Sequence, residues 1–155
     1  MTLNWLMQLE IIGEVALAML LGGIIGMERE RANKPAGFRT HMLVAGAAAL
    51  LVGLGDALLH KYGGGGVDGT IRSDPIRIVE AIITGISFLG AGTIFRRGES
   101  RAVEGLTTAA SLLLCSAIGI AVALRQFIIA GGITALTLLV LWGLKSFERK
   151  AEDKS

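Results

Sequence analysis

The sequence predicts an all-α integral membrane protein, a bundle of five transmembrane helices, and three observations carry that prediction. Apolar residues make up 52% of the 155 residues and only two are proline. Mean hydropathy is +0.63. Five apolar runs recur along the chain, each close to the ~20 residues that a helix rising ~1.5 Å per residue needs to cross ~30 Å of hydrocarbon. A water-soluble fold of this length has too little polar surface to cover five such runs.

The runs occupy residues 9–27, 42–59, 76–95, 106–124 and 127–144, so residues 1–145 read as one five-helix domain and 146–155 as a short charged tail. The N-terminus lacks a basic stretch and carries Glu10 and Glu14 inside its first apolar run, which argues against a cleavable signal peptide. Between the first and second runs lies "ERERANKPAGFRTH", a dense block of charge in which Pro35 stiffens the loop and Gly37 permits a tight turn. Thr40 is placed to cap the second helix, as Thr107 or Thr108 is to cap the fourth. The glycine-rich "HKYGGGGVDGTIRSD" reads as a flexible hairpin, and Asp74-Pro75 as an N-cap followed by proline at the first position of the third helix.

Charge sets the expected orientation. Eleven Lys and Arg fall in residues 28–41, 96–105 and 145–155, against four on the opposite side, which places the charged loops and the C-terminus in the cytoplasm and the N-terminus outside. The net charge of +2 is then a topology signal, and nucleic acid is excluded as a partner. Glu28, Arg29, Glu30, Arg31, Arg39, Arg96, Arg97, Arg101 and Glu104 all lie near helix ends on that side. Three readings stay open for them: solvated anchors, an ion-pair network joining the two hairpins, or a patch for anionic lipid or a partner.

Sliding the chain by 68 residues superposes Gly22 on Gly90, Arg29 on Arg97, Gly37 on Gly105 and Thr40 on Thr108 without a gap. Helices 1–2 and 3–4 thus form a candidate parallel repeat about an axis along the membrane normal. Small residues spaced by four, Gly22 and Gly26, Ala45 and Ala49, Ala81 and Gly85, with Gly90 and Gly92, are expected to bring helices into close contact within the bundle or across a homodimer.

Glu14, Asp56 and Glu80 interrupt the apolar runs at one depth, each roughly 20 to 22 Å along its helix from the charged-loop end. An ionised carboxylate at that level needs a cation, a partner or water. The three are a candidate site for hydrated Mg²⁺ or protons, with pairing to Arg125 or Arg77, or placement among headgroups, as the competing reading. The single cysteine, Cys115, lies in an apolar run and receives no role. No nucleophile–base pair, HExxH or phosphate-binding loop occurs, so no enzyme activity is expected.

The runs "GGIIGMERERANKPAGFRTHMLV" and "RIVEAIITGISFLGAGTIFRRGESRAVEGLTTAASL" resemble the MgtC/SapB family of bacterial inner-membrane proteins. The resemblance implies a five-helix membrane domain tied to magnesium homeostasis, to acid or low-magnesium adaptation and, in some members, to virulence and to regulation of other membrane proteins, among them the ATP synthase. Two departures stand out. Many relatives carry a neutral amide where this chain has Glu80, and longer members add a cytoplasmic domain that this chain is expected to lack. The expected function is magnesium-linked physiology exercised by contacts with other membrane proteins; the alternative is a transporter or channel for Mg²⁺ or protons through the bundle.

Overall fold

The computed structural model describes residues 3–62, 75–96 and 103–152. Five helices account for most of them: α1 Leu3–Arg31, α2 Phe38–Tyr62, α3 Pro75–Ala91, α4 Leu106–Ala123 and α5 Phe127–Glu152. Three are long and apolar enough to cross a membrane, over Trp5–Arg31, Phe38–Leu59 and Leu106–Ala123, while the apolar part of α5, Phe127–Gly143, is shorter. The chain is an all-α membrane bundle. Pro75 opens α3 as expected, whereas Asp74, the glycine-rich stretch before it, Arg97 and Arg101 lie outside the described residues.

The third helix is shorter than the sequence predicts. It ends at Ala91 rather than continuing to residue 95, and Phe95–Arg96 (β1) pairs antiparallel with Val103–Glu104 (β2) in a two-stranded ribbon. The stop has a local cause. Gly90 and Gly92 weaken the helix, and Thr93 turns both its backbone N–H (2.9 Å) and its hydroxyl (2.7 Å) onto the Gly90 carbonyl, a side-chain bond that competes with helix continuation.

α4 is the hub, packing against each of the other four helices. Its tightest approach is to α2, where a methyl on Gly119 would overlap the Ala45 carbonyl. The α1–α2 hairpin closes the same way: a Cβ on Gly22 would lie 2.6 Å from the His41 carbonyl oxygen and 2.8 Å from the Ala45 Cβ. Around these crossings Ala18, Ile25, Ala45, Ala49, Leu112, Cys115, Ile118 and Val122 form a buried core of mostly small side chains. In a bilayer, where lipid tails are as apolar as Leu, such close contact is what holds helices together.

The 68-residue shift matches helix starts as well as residues. α2 starts directly after Gly37 and α4 directly after Gly105, the two positions matched by the 68-residue shift. Gly22 packs on His41 of its hairpin, and Gly90 packs on Ala109, the residue equivalent to His41. Gly105 has a left-handed φ of 93° and lies tightly beneath the Thr93 carbonyl, so a side chain is disfavoured there twice over. Among the predicted contact residues, Gly22, Gly26 and Gly90 are at helix contacts. Gly85 is not, since a Cβ there meets nothing within 4 Å, and Gly92 lies in the turn after α3, close only to the carbonyls of Phe88 and Leu89.

Candidate functional site

Among the described residues, four of the seven buried polar or charged ones, Arg29, His41, Thr108 and Ser111, lie at the end bearing the charged loops. α1 finishes in a Schellman motif: Asn33 takes a left-handed φ of 52°, its N–H donates to the Glu30 carbonyl (3.0 Å), and the Lys34 N–H donates to the Arg29 carbonyl (3.0 Å). That reversal leaves Arg29 facing inward at 4% exposure, ion-paired to Glu28. Glu30 crosses the loop instead, and its Oε2 accepts the Phe38 N–H at 2.8 Å. A carboxylate on the first N–H of α2 offsets the positive end of the helix dipole. This displaces the expected cap: Thr40 lies inside α2, and Thr107 and Thr108 lie inside α4, because each helix begins two residues or less before them.

One turn into α2, His41 is fully buried. Its Nδ1 lies 2.8 Å from the Gly37 carbonyl oxygen and its Nε2 2.9 Å from Ser111 Oγ on α4, and Ser111 Oγ in turn donates to the Thr108 carbonyl at 2.8 Å. A carbonyl can only accept, so Nδ1 carries a proton. Ser111 Oγ lies within reach of both acceptors, so its one proton goes either to the Thr108 carbonyl or to Nε2 of a neutral ring. The pair therefore has two hydrogen-bond arrangements. Beside it, Thr108 Oγ1 is buried without a hydrogen-bond partner among the described residues.

The opposite end is built differently. α4 also finishes in a Schellman motif, with Arg125 in the left-handed position (φ 58°), its N–H on the Val122 carbonyl (2.9 Å) and the Gln126 N–H on the Ala121 carbonyl (2.8 Å). Arg125 Nη2 donates to Glu10 Oε2 (2.8 Å) and Nε to Glu14 Oε1 (3.2 Å), fastening the α4–α5 turn to α1. The hydrogen bond and the charge of Glu10, followed by those of Glu14, hold the guanidinium above its already high ordinary pKa.

The candidate cation site is not assembled. Glu14 is taken by Arg125, Asp56 and Glu80 are exposed on α2 and α3, and no group of three His, Cys, Asp or Glu able to hold a metal occurs among the described residues. The common depth rests on run ends at residues 27, 42 and 95, whereas α3 ends at Ala91, and helical rise in any case leaves azimuth open. The charged motif divides similarly. Glu28 and Arg29 pair, Glu30 caps α2, Gly37 accepts from His41, and Arg31 and Arg39 are exposed. The Ser111 partnership with His41 was not legible beforehand, although a histidine one turn inside an apolar helix, facing a glycine-rich neighbour, was a signal that it is buried.

The model of the MgtC family matches residues 15–150. The Escherichia coli K12 protein named "Putative magnesium transporter YhiD" is 36% identical over 137 residues, covering 87% of this chain and 60% of that protein. Protein SapB of Bacillus subtilis is 35% identical over 124 residues (78% and 50%), and Protein MgtC of Brucella abortus 42% identical over 106 residues (68% and 39%). The chain thus spans about half the length of the curated relatives it matches. No solved structure matches it. A family model that covers most of the chain, including both charged loops and the helices that bury His41 and Ser111, makes this protein a member of the MgtC family.

Proposed function

We propose that this chain is a bacterial inner-membrane protein that acts in magnesium-linked physiology through contacts with other membrane proteins, with its N-terminus outside and its C-terminus in the cytoplasm. The observation that carries the reading is the closed middle of the bundle. Between the Arg125 pairs at one end and the His41–Ser111 pair at the other, the core is Ala18, Ala45, Ala49, Leu112, Cys115 and Ile118. Its buried hydroxyls are spent locally: Ser116 donates to the Leu113 carbonyl (2.7 Å), Thr134 to Ala130 (2.8 Å) and Thr137 to Ile133 (2.7 Å). A conducted ion needs polar groups that can replace its water. The orientation rests on the excess of basic residues in the charged loops, and the ATP synthase is a partner that the family resemblance implies.

The second reading, a transporter of Mg²⁺ or protons, is favoured by the name of the Escherichia coli relative. Growth of a strain lacking this chain in limiting magnesium separates the two. Ser116→Ala, Thr134→Val and Thr137→Val together remove buried hydroxyls while leaving every outward surface unchanged. The contact reading expects this variant to restore growth as well as the wild type does. Failure to restore growth by a variant that still folds and inserts would favour a polar route through the bundle.

A further inference from the structure

α3 presents an outward face unlike that of α5. Ile82 and Gly90 mark its buried side. The opposite side carries Arg77, Glu80, Ala81, Thr84 and Ala91, all exposed, together with Phe88 at 85% exposure. α5 is the control. Its outward face also has open glycines, Gly131, Gly132 and Gly143, but the large residues around them are Ile128 (92% exposed), Leu139 (67%) and Trp142 (76%), which acyl chains cover well. Glu80 lies five residues into α3, about 8 Å along its axis, where an uncompensated carboxylate facing lipid is costly. Within the chain neither Arg77 nor Glu80 makes an ion pair among the described residues.

We propose that this face is covered by the α3 of a second copy of this chain, in a two-fold dimer whose axis runs along the membrane normal. The argument is self-complementarity. Both copies insert the same way, so their α3 helices run parallel. At 3.6 residues per turn, Arg77 and Glu80 sit about 60° apart on the helix, on either side of Thr84. A two-fold axis sets the Arg77 flank of one helix against the Glu80 flank of the other, one turn deeper, so each copy supplies the charge the other lacks, twice over. Thr84, Ser87 and Ala91, exposed between or beside these flanks, leave the surface low enough for backbones to approach. Phe88, on the Arg77 flank, has room beside the partner's small Ser87 and Ala91. The dimer gives Glu80 a role that needs no cation, and it stands whether or not the chain acts through other proteins.

The test uses the full chain in lipid nanodiscs or liposomes. Cys115 is fully buried, so single cysteines introduced elsewhere report on their own positions. Thr84→Cys and Ala91→Cys should cross-link between copies under mild oxidation, and Ile128→Cys and Leu139→Cys should not. Glu80→Arg alone and Arg77→Glu alone should each weaken dimerisation at least tenfold, read by single-molecule photobleaching at falling protein-to-lipid ratio. The double reversal Arg77→Glu with Glu80→Arg should restore it. These side chains are exposed, so thermal melting of each monomeric variant serves as the control for folding. A wild-type chain that stays monomeric at every ratio, cross-linking through α5 as strong as through α3, or a double reversal that does not recover the dimer would each overturn the proposal; the first of these would point to a different protein as the occupant.

Discussion

The two ends of the bundle use the same materials in opposite ways. At the charged-loop end an arginine and a histidine are turned inward, Arg29 at 4% and His41 at 0% exposure, and helix-to-helix contact is made by buried hydrogen bonds. At the other end Arg125 and Glu10 stay in the open, 61% and 59% exposed, and the tie between α1 and the α4–α5 turn is a pair of surface salt bridges. Both ends close a helix with a Schellman motif on a residue other than glycine. What differs is whether the motif directs charge into the packed interior or out of it. The comparison teaches that local charge density does not tell a structural network from an anchor; the rotation of the helix end decides.

That difference can be broken experimentally, most strongly at Arg29. Arg29→Met leaves Glu28, itself only 16% exposed, without its partner, and loss of one member of a buried pair costs about 3 to 5 kcal/mol. The thermal midpoint of unfolding in detergent should fall sharply, and adding Glu28→Gln should recover most of the loss. Full stability of the single variant would mean that Glu28 finds water or another partner there.

At the helix crossing, Gly119→Ala drives a methyl into the Ala45 carbonyl. Overpacking of this kind costs about 1 to 3 kcal/mol, while alanine at Gly131 on the outward face of α5, where no atom lies within 4 Å, should be neutral or stabilising. A comparable effect is expected from Ser111→Ala, which removes the partner of His41 Nε2 and should cost about 1 to 3 kcal/mol. Thr108→Val should instead be neutral or stabilising, because the hydroxyl it removes is buried without a partner. A large loss at Thr108 would mean that the oxygen is engaged by something the chain alone does not supply.

At Arg125 the change is expected to be smaller than at Arg29. Arg125→Gly gives up the exposed pair with Glu10 and the pair with Glu14, which is 14% exposed, but relieves the left-handed backbone, so its midpoint should fall less than that of Arg29→Met, and raising salt should lessen the difference. The Arg29 variant should respond to salt far less.

The helices were legible because hydrocarbon thickness fixes how long an apolar run must be, and the equivalence of Gly37 with Gly105 was legible because a side chain is crowded at both, by the Glu30 side chain at Gly37 and by the Thr93 carbonyl at Gly105. The end of α3 was not. It depends on Thr93 bonding back to Gly90, a choice between two hydrogen-bond partners that apolarity does not register. The common depth expected for Glu14, Asp56 and Glu80 followed from counting residues, and counting supplies neither the true helix ends nor the helix rotation that decides which side chains meet. The pairing of Arg125 with Glu14 was among the readings the sequence left open; the capping of α2 by Glu30, eight residues away across a turn, was not.

The most direct measurement of the central claim is ion flux through the purified chain in liposomes carrying a Mg²⁺-sensitive or pH-sensitive dye inside, with an imposed gradient and the membrane potential clamped. A bundle closed at its middle by Ala45, Ala49, Leu112, Cys115 and Ile118 predicts traces for both ions indistinguishable from those of protein-free liposomes. Mg²⁺ or proton entry that scales with the amount of protein, and that Ser116→Ala diminishes, would contradict the account.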